Sequence, residues 1–250
     1  MHDVALSLAG VGIGLVFGLF GAGGSAFATP VLSLLGVPGV LAIASPLPAV
    51  VPAALSGARR HLRAGNLDRH TAQWSVIGGL PGVIIGSLLS QEVDGRRLLW
   101  LSGLILLGVG ARVVLPDPAG ASLRAEVRRH KSWLVAGAGL TVGLLTGLLA
   151  NGGGFLLVPV FVMAFGLTPA KAAGTSMMAV AALSLPTLIS HIALGHIDWP
   201  VALIFAAGVV PGSAIGAALA EHIPPAVARR IFGWMLLVFA VWFLTHLPVR

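Results

Sequence analysis

Long apolar stretches alternate with short polar connections along the whole chain. The apolar stretches cover residues 4–35, 40–58, 74–90, 98–115, 133–166, 170–190, 200–220 and 231–247. A membrane-spanning helix needs about 20 mainly apolar residues, so most of these stretches are long enough for one crossing. The first stretch, at 32 residues, is too long for one crossing and too short for two. The pattern predicts an all-α integral membrane protein, built as a polytopic helical bundle.

Composition supports this class and excludes several others. Hydrophobic residues make up 57% of the chain and charged residues 9%, and the mean hydropathy is +0.98, whereas soluble domains carry about a quarter charged residues. The net charge of +7 comes from Arg and Lys residues in the short connections, which is typical of membrane orientation rather than of nucleic-acid binding. The absence of cysteine excludes disulfides and Cys-based metal sites, and we predict no metal and no cofactor. The N-terminus has no basic segment ahead of its apolar run, which favours a first membrane segment over a cleaved signal peptide.

The second half of the chain repeats the first. With an offset of 129 or 130 residues, glycines, prolines, histidines and aspartates recur at matching places, including the pairs Gly23/Gly152, Gly24/Gly153, Pro30/Pro159, His61/His191, Asp68/Asp198 and Pro81/Pro211. Matches this dense indicate an internal duplication. We therefore predict a first membrane repeat over residues 1–115, a basic cytoplasmic linker over residues 116–132, and a second membrane repeat over residues 133–250.

Each repeat contains a run of consecutive glycines inside an apolar stretch, GAGGS at residues 21–25 and NGGG at residues 151–154. Glycine is unfavourable in a helix interior and readily adopts positive φ, so both runs predict a broken helix. Broken backbone at membrane depth must be buried in protein or line a polar cavity. Two breaks at corresponding places are typical of a transport site. Glycines spaced by four instead favour close helix packing, and these are Gly10, Gly14, Gly18, Gly78, Gly82, Gly86 and their copies.

The 15 Arg and Lys residues distinguish two topologies. If each half crosses four times, the halves are parallel and at best 10 basic residues lie inside. If each glycine run is the tip of a re-entrant hairpin, each half has three further transmembrane helices and the second half is inverted. Twelve basic residues then lie inside: Arg59, Arg60, Arg63, Arg69, Arg112, Arg124, Arg128, Arg129, Lys131, Lys171, Arg229 and Arg230. The positive-inside rule favours these inverted repeats, in which the two glycine tips meet near the midplane.

The glycine breaks carry the candidate chemistry. A helix that begins just after Gly24 or Gly154 would point free N–H groups and its positive dipole end at the midplane, which binds an anion without a charged side chain. Uncharged donors nearby suit an ion that must bind and then leave. The predicted substrate-binding residues are Gly23, Gly24, Ser25, Ser45, Asn151, Gly152, Gly153, Gly154, Thr175 and Ser176.

Two further groups have alternative interpretations. His61 and His191 could relay protons, because histidine titrates near neutral pH, or each could have a turn or capping role beside its neighbouring Gly and Asp. Asp68 and Asp198 could be N-caps of the helices that follow them. Arg59 and Arg60 are predicted orientation charges that could also attract anions to a cytoplasmic mouth.

The two glycine runs also carry a family resemblance. A glycine pair followed after five residues by proline occurs in GAGGSAFATP and NGGGFLLVP; GLTPAKAAGTSM follows the second, and each half has the related tetrapeptide GNLD or GHID. Together these motifs resemble the TauE/SafE sulfite exporter family of prokaryotic membrane transporters. The resemblance implies a multi-pass carrier in the cytoplasmic membrane that exports sulfite, sulfonates or related anions. The first half departs from the pattern, because Ala22 replaces the Asn of Asn151 and Ser45-Pro46 stands where the second half has Thr175-Ser176.

These observations predict a secondary transporter and not an enzyme. It would export a small anion, either sulfite or an organosulfonate, by alternating access around a midplane site, with the lipid bilayer and the anion as its partners. No phosphate-binding loop for ATP is present. The alternatives are an anion channel of similar architecture, a membrane-embedded hydrolase that uses Ser176 and His191, and a scaffold without transport activity.

Overall fold

A computed structural model describes residues 2–21, 27–115, 129–149, 154–220 and 222–246. None of the described residues lies in a β-strand. The helices, numbered in chain order, are α1 (His2–Leu19), α2 (Ala28–Leu34), α3 (Gly39–Ala44), α4 (Leu47–Arg63), α5 (Arg69–Leu89), α6 (Gly95–Val114), α7 (Ser132–Leu149), α8 (Gly154–Met163), α9 (Pro169–Ala193), α10 (Trp199–Ala220) and α11 (Pro225–Thr245). The predicted all-helical class is confirmed.

The helices have the length and composition of membrane spans. Within the described ranges, six segments are long and apolar enough to cross a bilayer: α3 and α4 taken together, α5, α6, α7, α9 and α10. Helix α1 is a shorter apolar helix. Large apolar side chains such as Leu8, Ile189 and Val238 are exposed on the outside of the bundle, as expected where lipid rather than water is the solvent. The protein is therefore a multi-pass membrane protein.

Two long interfaces are built on glycine. Helix α1 packs along α10, and a Cβ added at Gly10, Gly14 or Gly18 would collide with the α10 backbone. Helix α5 packs along α7 in the same way, where an added Cβ at Gly139, Gly143 or Gly147 would meet the α5 backbone. The reciprocal glycines of α5 and α10 are equally crowded. The packing role predicted for the glycines spaced by four is confirmed.

Equivalent helices of the two halves also contact each other directly. Helix α4 packs against α9, and α6 packs against α11. Two reciprocal hydrogen bonds join the halves: the backbone N–H of Asp68 donates to Thr175 Oγ1 at 2.9 Å, and that of Asp198 donates to Ser45 Oγ at 3.0 Å. Asp68 follows the end of α4 and Thr175 lies near the start of α9, whereas Ser45 precedes α4 and Asp198 follows α9. Helices α4 and α9 therefore run antiparallel.

Candidate functional site

Helices end and begin at both glycine runs. Helix α1 stops at Leu19, and Gly21 has a positive φ of 74°. A Cβ on Gly21 would lie 2.9 Å from the Cα of Ala173 on α9, so glycine fits this position on both counts. Helix α7 is described to Leu149, and α8 begins at Gly154 as predicted. The candidate residues Gly23, Gly24, Ser25, Asn151, Gly152 and Gly153 lie outside the described residues, so their role in binding stays a prediction.

The three candidate hydroxyl side chains within the described residues are fully buried, and each has a hydrogen-bond partner. Ser45 and Thr175 accept the two reciprocal bonds described above, and Ser176 Oγ donates to the carbonyl of Ala173 at 2.9 Å. The structure does not bring Ser45 and Thr175 together. Thr175 lies near the start of α9, whereas Ser45 contacts Asp198, just after the end of α9. That helix rises about 27 Å between residues 175 and 193, at 1.5 Å per residue. Their binding role also stays a prediction.

The hydrolase alternative fails on geometry. Ser176 and His191 both lie on α9, where 15 residues correspond to a rise of about 22 Å. A nucleophile and its base must come within hydrogen-bond distance of each other. Ser176 instead bonds its own helix, and the His191 ring contacts Gly147 and His196.

The aspartate pair has the predicted capping role. Asp68 caps α5, where its side chain accepts from the backbone N–H of Thr71 at 2.9 Å. Asp198 Oδ1 accepts from the backbone N–H of Val201 at 3.2 Å, at the start of α10. Each aspartate thus caps the start of a helix with its side chain, and its backbone N–H donates a hydrogen bond to a hydroxyl of the opposite half.

One end of the bundle carries nearly all of the described basic residues. The start of α9 lies against the α4–α5 connection, because a Cβ on Gly174 would collide with Asn66. Arg229 joins the start of α11 to the end of α6, and Asp68 lies 3.8 Å from Arg129. The basic residues at this end, which we call the basic end, are Arg59, Arg60, Arg63, Arg69, Arg112, Arg129, Lys131, Lys171, Arg229 and Arg230. Among the described residues, the other end has only Arg96 and Arg97.

A cavity of about 150 Å³ opens between the two halves at the basic end. Its polar lining comes from Arg60, His61, Asn66 and Arg229. Its apolar walls come from the ends of α1 and α10 and from parts of α8, α9 and α11. They include Leu19, Phe20, Val158, Pro159, Val162, Met163, Pro169, Ala170, Ala173, Ala217, Ala220 and Phe232. The cavity therefore extends from Arg60, which is exposed, and Arg229, which is half-buried, to Phe20 and Ala173, next to Gly21 at the first break.

The cavity arginine on α11 has a defined geometry. Arg229 Nε donates to the carbonyl of Val113 at 3.2 Å and its Nη2 donates to the carbonyl of Leu115 at 3.1 Å. The last carbonyls of a helix lack helical partners, so Arg229 satisfies the end of α6 while it presents its charge to the cavity. No local sequence motif marks Arg229, and its place near the start of a membrane helix predicts only an orientation charge.

The second predicted histidine lies at the other end of the bundle. His191 is 1% exposed, near the end of α9, and its Nδ1 lies 3.1 Å from Nδ1 of His196. Its Nε2 lies 3.4 Å from the carbonyl oxygen of Gly147 on α7. His196 is only half-buried, and burial lowers its pKa below the ordinary value. No sequence motif marks His196 as a partner of His191. Its position follows from the turn at Gly195, whose positive φ of 69° folds the chain back toward α9.

His61, the copy of His191, lines the cavity instead. The two halves thus place equivalent histidines at opposite ends of the bundle. No group of three or more His, Asp or Glu side chains in the described part of the chain is arranged to hold a metal ion.

Comparison with known proteins identifies the family. The family described as sulfite exporter TauE/SafE matches residues 6–243. This chain belongs to that family. The TauE/SafE resemblance is therefore confirmed, and the protein is a membrane transporter of the TauE/SafE type rather than an enzyme.

Several curated relatives match over most of their length. A probable membrane transporter protein of Xylella fastidiosa is 29% identical over 241 residues, covering 92% of this chain and 90% of the relative. YunE of Bacillus subtilis, also described as a probable membrane transporter protein, is 26% identical and covers 88% of this chain and 89% of its own. TsaS of Comamonas testosteroni, a probable inner membrane transporter protein, is 30% identical over 73% of this chain and 77% of its own. No solved structure matches the chain.

Proposed function

We propose that this protein is a secondary transporter that exports a small anion, either sulfite or an organosulfonate, across the cytoplasmic membrane of a prokaryote. The family description names sulfite export, and one relative is described as an inner membrane protein. The positive-inside rule assigns the basic end to the cytoplasm. The cavity at that end is then the cytoplasmic vestibule of an inward-open state.

The observation that carries the proposal is the cavity between the halves, with Arg60 and Arg229 at its mouth and apolar walls behind them. Positive charge beside low-dielectric walls concentrates anions and raises their rate of association. The cavity volume of about 150 Å³ is many times the 10–15 Å³ that one ordered water needs. A small oxyanion with part of its hydration shell fits this space. The vestibule leads toward Gly21, where the predicted backbone N–H donors of the first break begin.

Alternating access requires two halves that can exchange conformations. The antiparallel course of α4 and α9, with reciprocal bonds from Asp68 and Asp198, supports repeats of inverted topology. A two-fold axis in the membrane plane makes equivalent helices antiparallel, whereas an axis along the membrane normal makes them parallel. In this proposal the repeats are residues 1–115 and 133–250, joined by a cytoplasmic linker over residues 116–132. The re-entrant hairpins of the breaks would then enter from opposite sides. Their tips would lie toward opposite ends of α9 rather than together at the midplane, since Gly21 lies beside Ala173 and Gly147 beside His191.

Binding is tested by thermal stabilisation of the purified protein with sulfite, sulfate, thiosulfate, taurine, isethionate and short carboxylates. A ligand of the folded state raises the melting temperature. Arg60→Gln should weaken the shift, because it removes a vestibule charge. Arg59→Gln is the matched control, since it removes the neighbouring arginine, which does not line the cavity. A shift from carboxylates alone would refute the sulfur-oxyanion assignment, and equal effects of the two variants would refute the role of the vestibule.

Transport is tested in proteoliposomes by counterflow of labelled sulfite or isethionate. A carrier shows saturable counterflow and trans-stimulation, because the loaded carrier returns faster than the empty one. A channel of similar architecture shows neither. Uptake without saturation or counterflow would therefore replace the carrier with a channel.

A further inference from the structure

The histidine pair at the end opposite the cavity has a defined proton arrangement. A carbonyl oxygen can only accept a hydrogen bond, so the contact between His191 Nε2 and the carbonyl of Gly147 places a proton on Nε2 of His191. Neutral His191 then has an unprotonated Nδ1. The 3.1 Å contact between the two Nδ1 atoms must therefore be a bond donated by His196. This leaves Nε2 of His196 as a free acceptor on the half-buried member of the pair.

This arrangement can pass a proton inward without moving a heavy atom. A proton that binds Nε2 of His196 makes that ring a cation with a proton on each nitrogen. The bond between Nδ1 of His196 and its proton then breaks while the bond to Nδ1 of His191 forms. His196 returns to neutral as its other tautomer, and His191 becomes the cation. The charge has moved from a half-buried ring to a ring that is 1% exposed.

Two features around the inner ring offset part of the cost of burying a positive charge there. Gly147 is in the last turn of the described part of α7, toward the negative end of the helix dipole. The Gly147 carbonyl accepts a stronger hydrogen bond from a cationic His191 than from a neutral one. Both effects favour the proton on His191, next to the second break, and oppose the cost of burial.

The first repeat has no such pair. The residue that corresponds to His196 is Asn66, which does not titrate near neutral pH. Asn66 and His61 line the vestibule at the basic end. The two ends of the bundle are thus equivalent in fold and different in proton chemistry.

Resting on the transport function proposed above, we propose that His191 and His196 form the proton-binding site that couples anion transport to proton movement. The site faces the side of the membrane opposite the basic end. It takes up one proton per cycle, through Nε2 of His196, and transfers it to His191 beside the second glycine break.

The other charged or titratable groups at this end lie on connections and helix ends rather than on the helices packed around α9. Helices α4, α5, α7 and α8, which pack around α9, carry no charged or titratable side chain at this end. Asp198 on the same loop is engaged with Val201 as a helix cap. Glu92 and Asp94 follow α5, and His246 contacts Thr245 and Trp242 at the end of α11. The start of α1, with His2 and Asp3, also lies at this end because α1 runs parallel to α10, and so do Arg96 and Arg97 of α6. Variants of the two histidines are therefore needed to assign a change in proton binding to the pair.

Proteoliposomes that contain a fluorescent pH indicator test the coupling. The probe is isethionate, a sulfonate that does not itself titrate near neutral pH. The wild type should move protons when an isethionate gradient is applied. His196→Asn, which copies the first repeat, and His191→Gln should lose this proton flux and keep isethionate counterflow. His222→Asn is the control, because it removes an exposed histidine at the basic end.

A second measurement does not depend on transport. Nitrogen NMR of protein labelled at histidine should show that the rings of His191 and His196 titrate together, and that His196→Asn changes the titration of His191. Proton flux that persists unchanged in both histidine variants overturns the proposal and leaves anion transport intact. If isethionate counterflow is absent from the wild type, the sulfonate assignment fails, and the NMR titration decides the proton site. Independent titration of the two rings overturns it.

Discussion

The glycine interfaces allow us to predict how the stability of the protein changes when one methyl group is added at either of two positions in the same helix. Gly137 and Gly143 both lie in α7, and both can be replaced by alanine. A Cβ on Gly137 meets no atom within 4 Å, whereas a Cβ on Gly143 would lie 2.8 Å from the Cα of Gly79 and closer still to its carbonyl oxygen. The two variants share the same gain in helix propensity and differ only in packing.

The expected energies have opposite signs. Alanine in place of a helical glycine stabilises by about 0.5–1 kcal/mol, and this is the whole expected effect at Gly137. Non-bonded carbons lie about 3.5–4.0 Å apart, so at Gly143 the backbones of α5 and α7 must separate by at least roughly 0.7 Å. A glycine backbone has no rotamer to adjust, and overpacking of this kind costs about 1–3 kcal/mol. Gly143→Ala should therefore be destabilised relative to Gly137→Ala by about 1–3 kcal/mol.

The difference can be measured by thermal unfolding in detergent, followed by tryptophan fluorescence. For a chain of this size, 1 kcal/mol corresponds to about 2–4 °C in melting temperature. Gly14→Ala and Gly12→Ala in α1 repeat the comparison in the first half, since a Cβ on Gly14 would collide with α10 and one on Gly12 meets nothing within 4 Å. If Gly143→Ala melts at or above Gly137→Ala, the helices are not in close contact and the interface is wrong.

Three further outcomes follow from the described contacts. Thr175→Ala should destabilise by about 1 kcal/mol, because it leaves the half-buried backbone N–H of Asp68 without its acceptor. Ser176→Ala should cost less, since the carbonyl it bonds keeps its helical partner; equal losses in thermal unfolding would contradict the inter-half bond. Asp68→Ala should lose about 1 kcal/mol of helix capping in the same assay, whereas Asp68→Asn keeps an acceptor and should lose little. The lowered pKa of His196 means that the unfolded chain binds this proton first as pH falls, so its contribution to stability is full above about pH 6.5 and decreases below it. His196→Asn should reduce the fall in melting temperature between neutral and acidic pH, and an unchanged fall would exclude this histidine as its source.

Much of the fold could be predicted from the length and spacing of apolar residues. The apolar stretches correspond to the helices, and Gly10, Gly14 and Gly18 identify a close-packed face. What the spacing of these glycines could not give is the partner of that face. A four-residue spacing identifies which side of one helix is narrow, but the four such faces on α1, α5, α7 and α10 could pair in more than one way. The observed choice, with each half packed against the other, depends on contacts far apart in the chain.

The site was harder to predict, for a geometric reason. Ser45 and Thr175 occupy matching positions of the repeat, which suggested that their hydroxyls converge. Two positions related by a two-fold axis lie together only if they are near that axis. If the halves are related by such an axis, as proposed, these residues lie far from it, and they make matching contacts at opposite ends: Ser45 with Asp198, and Thr175 with Asp68. Equivalence in sequence thus predicts equivalent surroundings and not proximity.

The positions where the two halves differ in sequence can distinguish the two sides of the membrane. If the halves are inverted and exchange conformations as proposed, two identical halves would present the same proton chemistry to both sides of the membrane. The backbone at Asn66 and His196 is the same, since each residue donates its N–H to the carbonyl of the histidine five positions earlier, His61 or His191. Only the side chain differs, as an amide at the basic end and an imidazole at the other. A transporter that distinguishes its two sides needs such a difference. In the described residues, Asn66 and His196 provide one, and each lies next to the histidine that both halves share, His61 or His191.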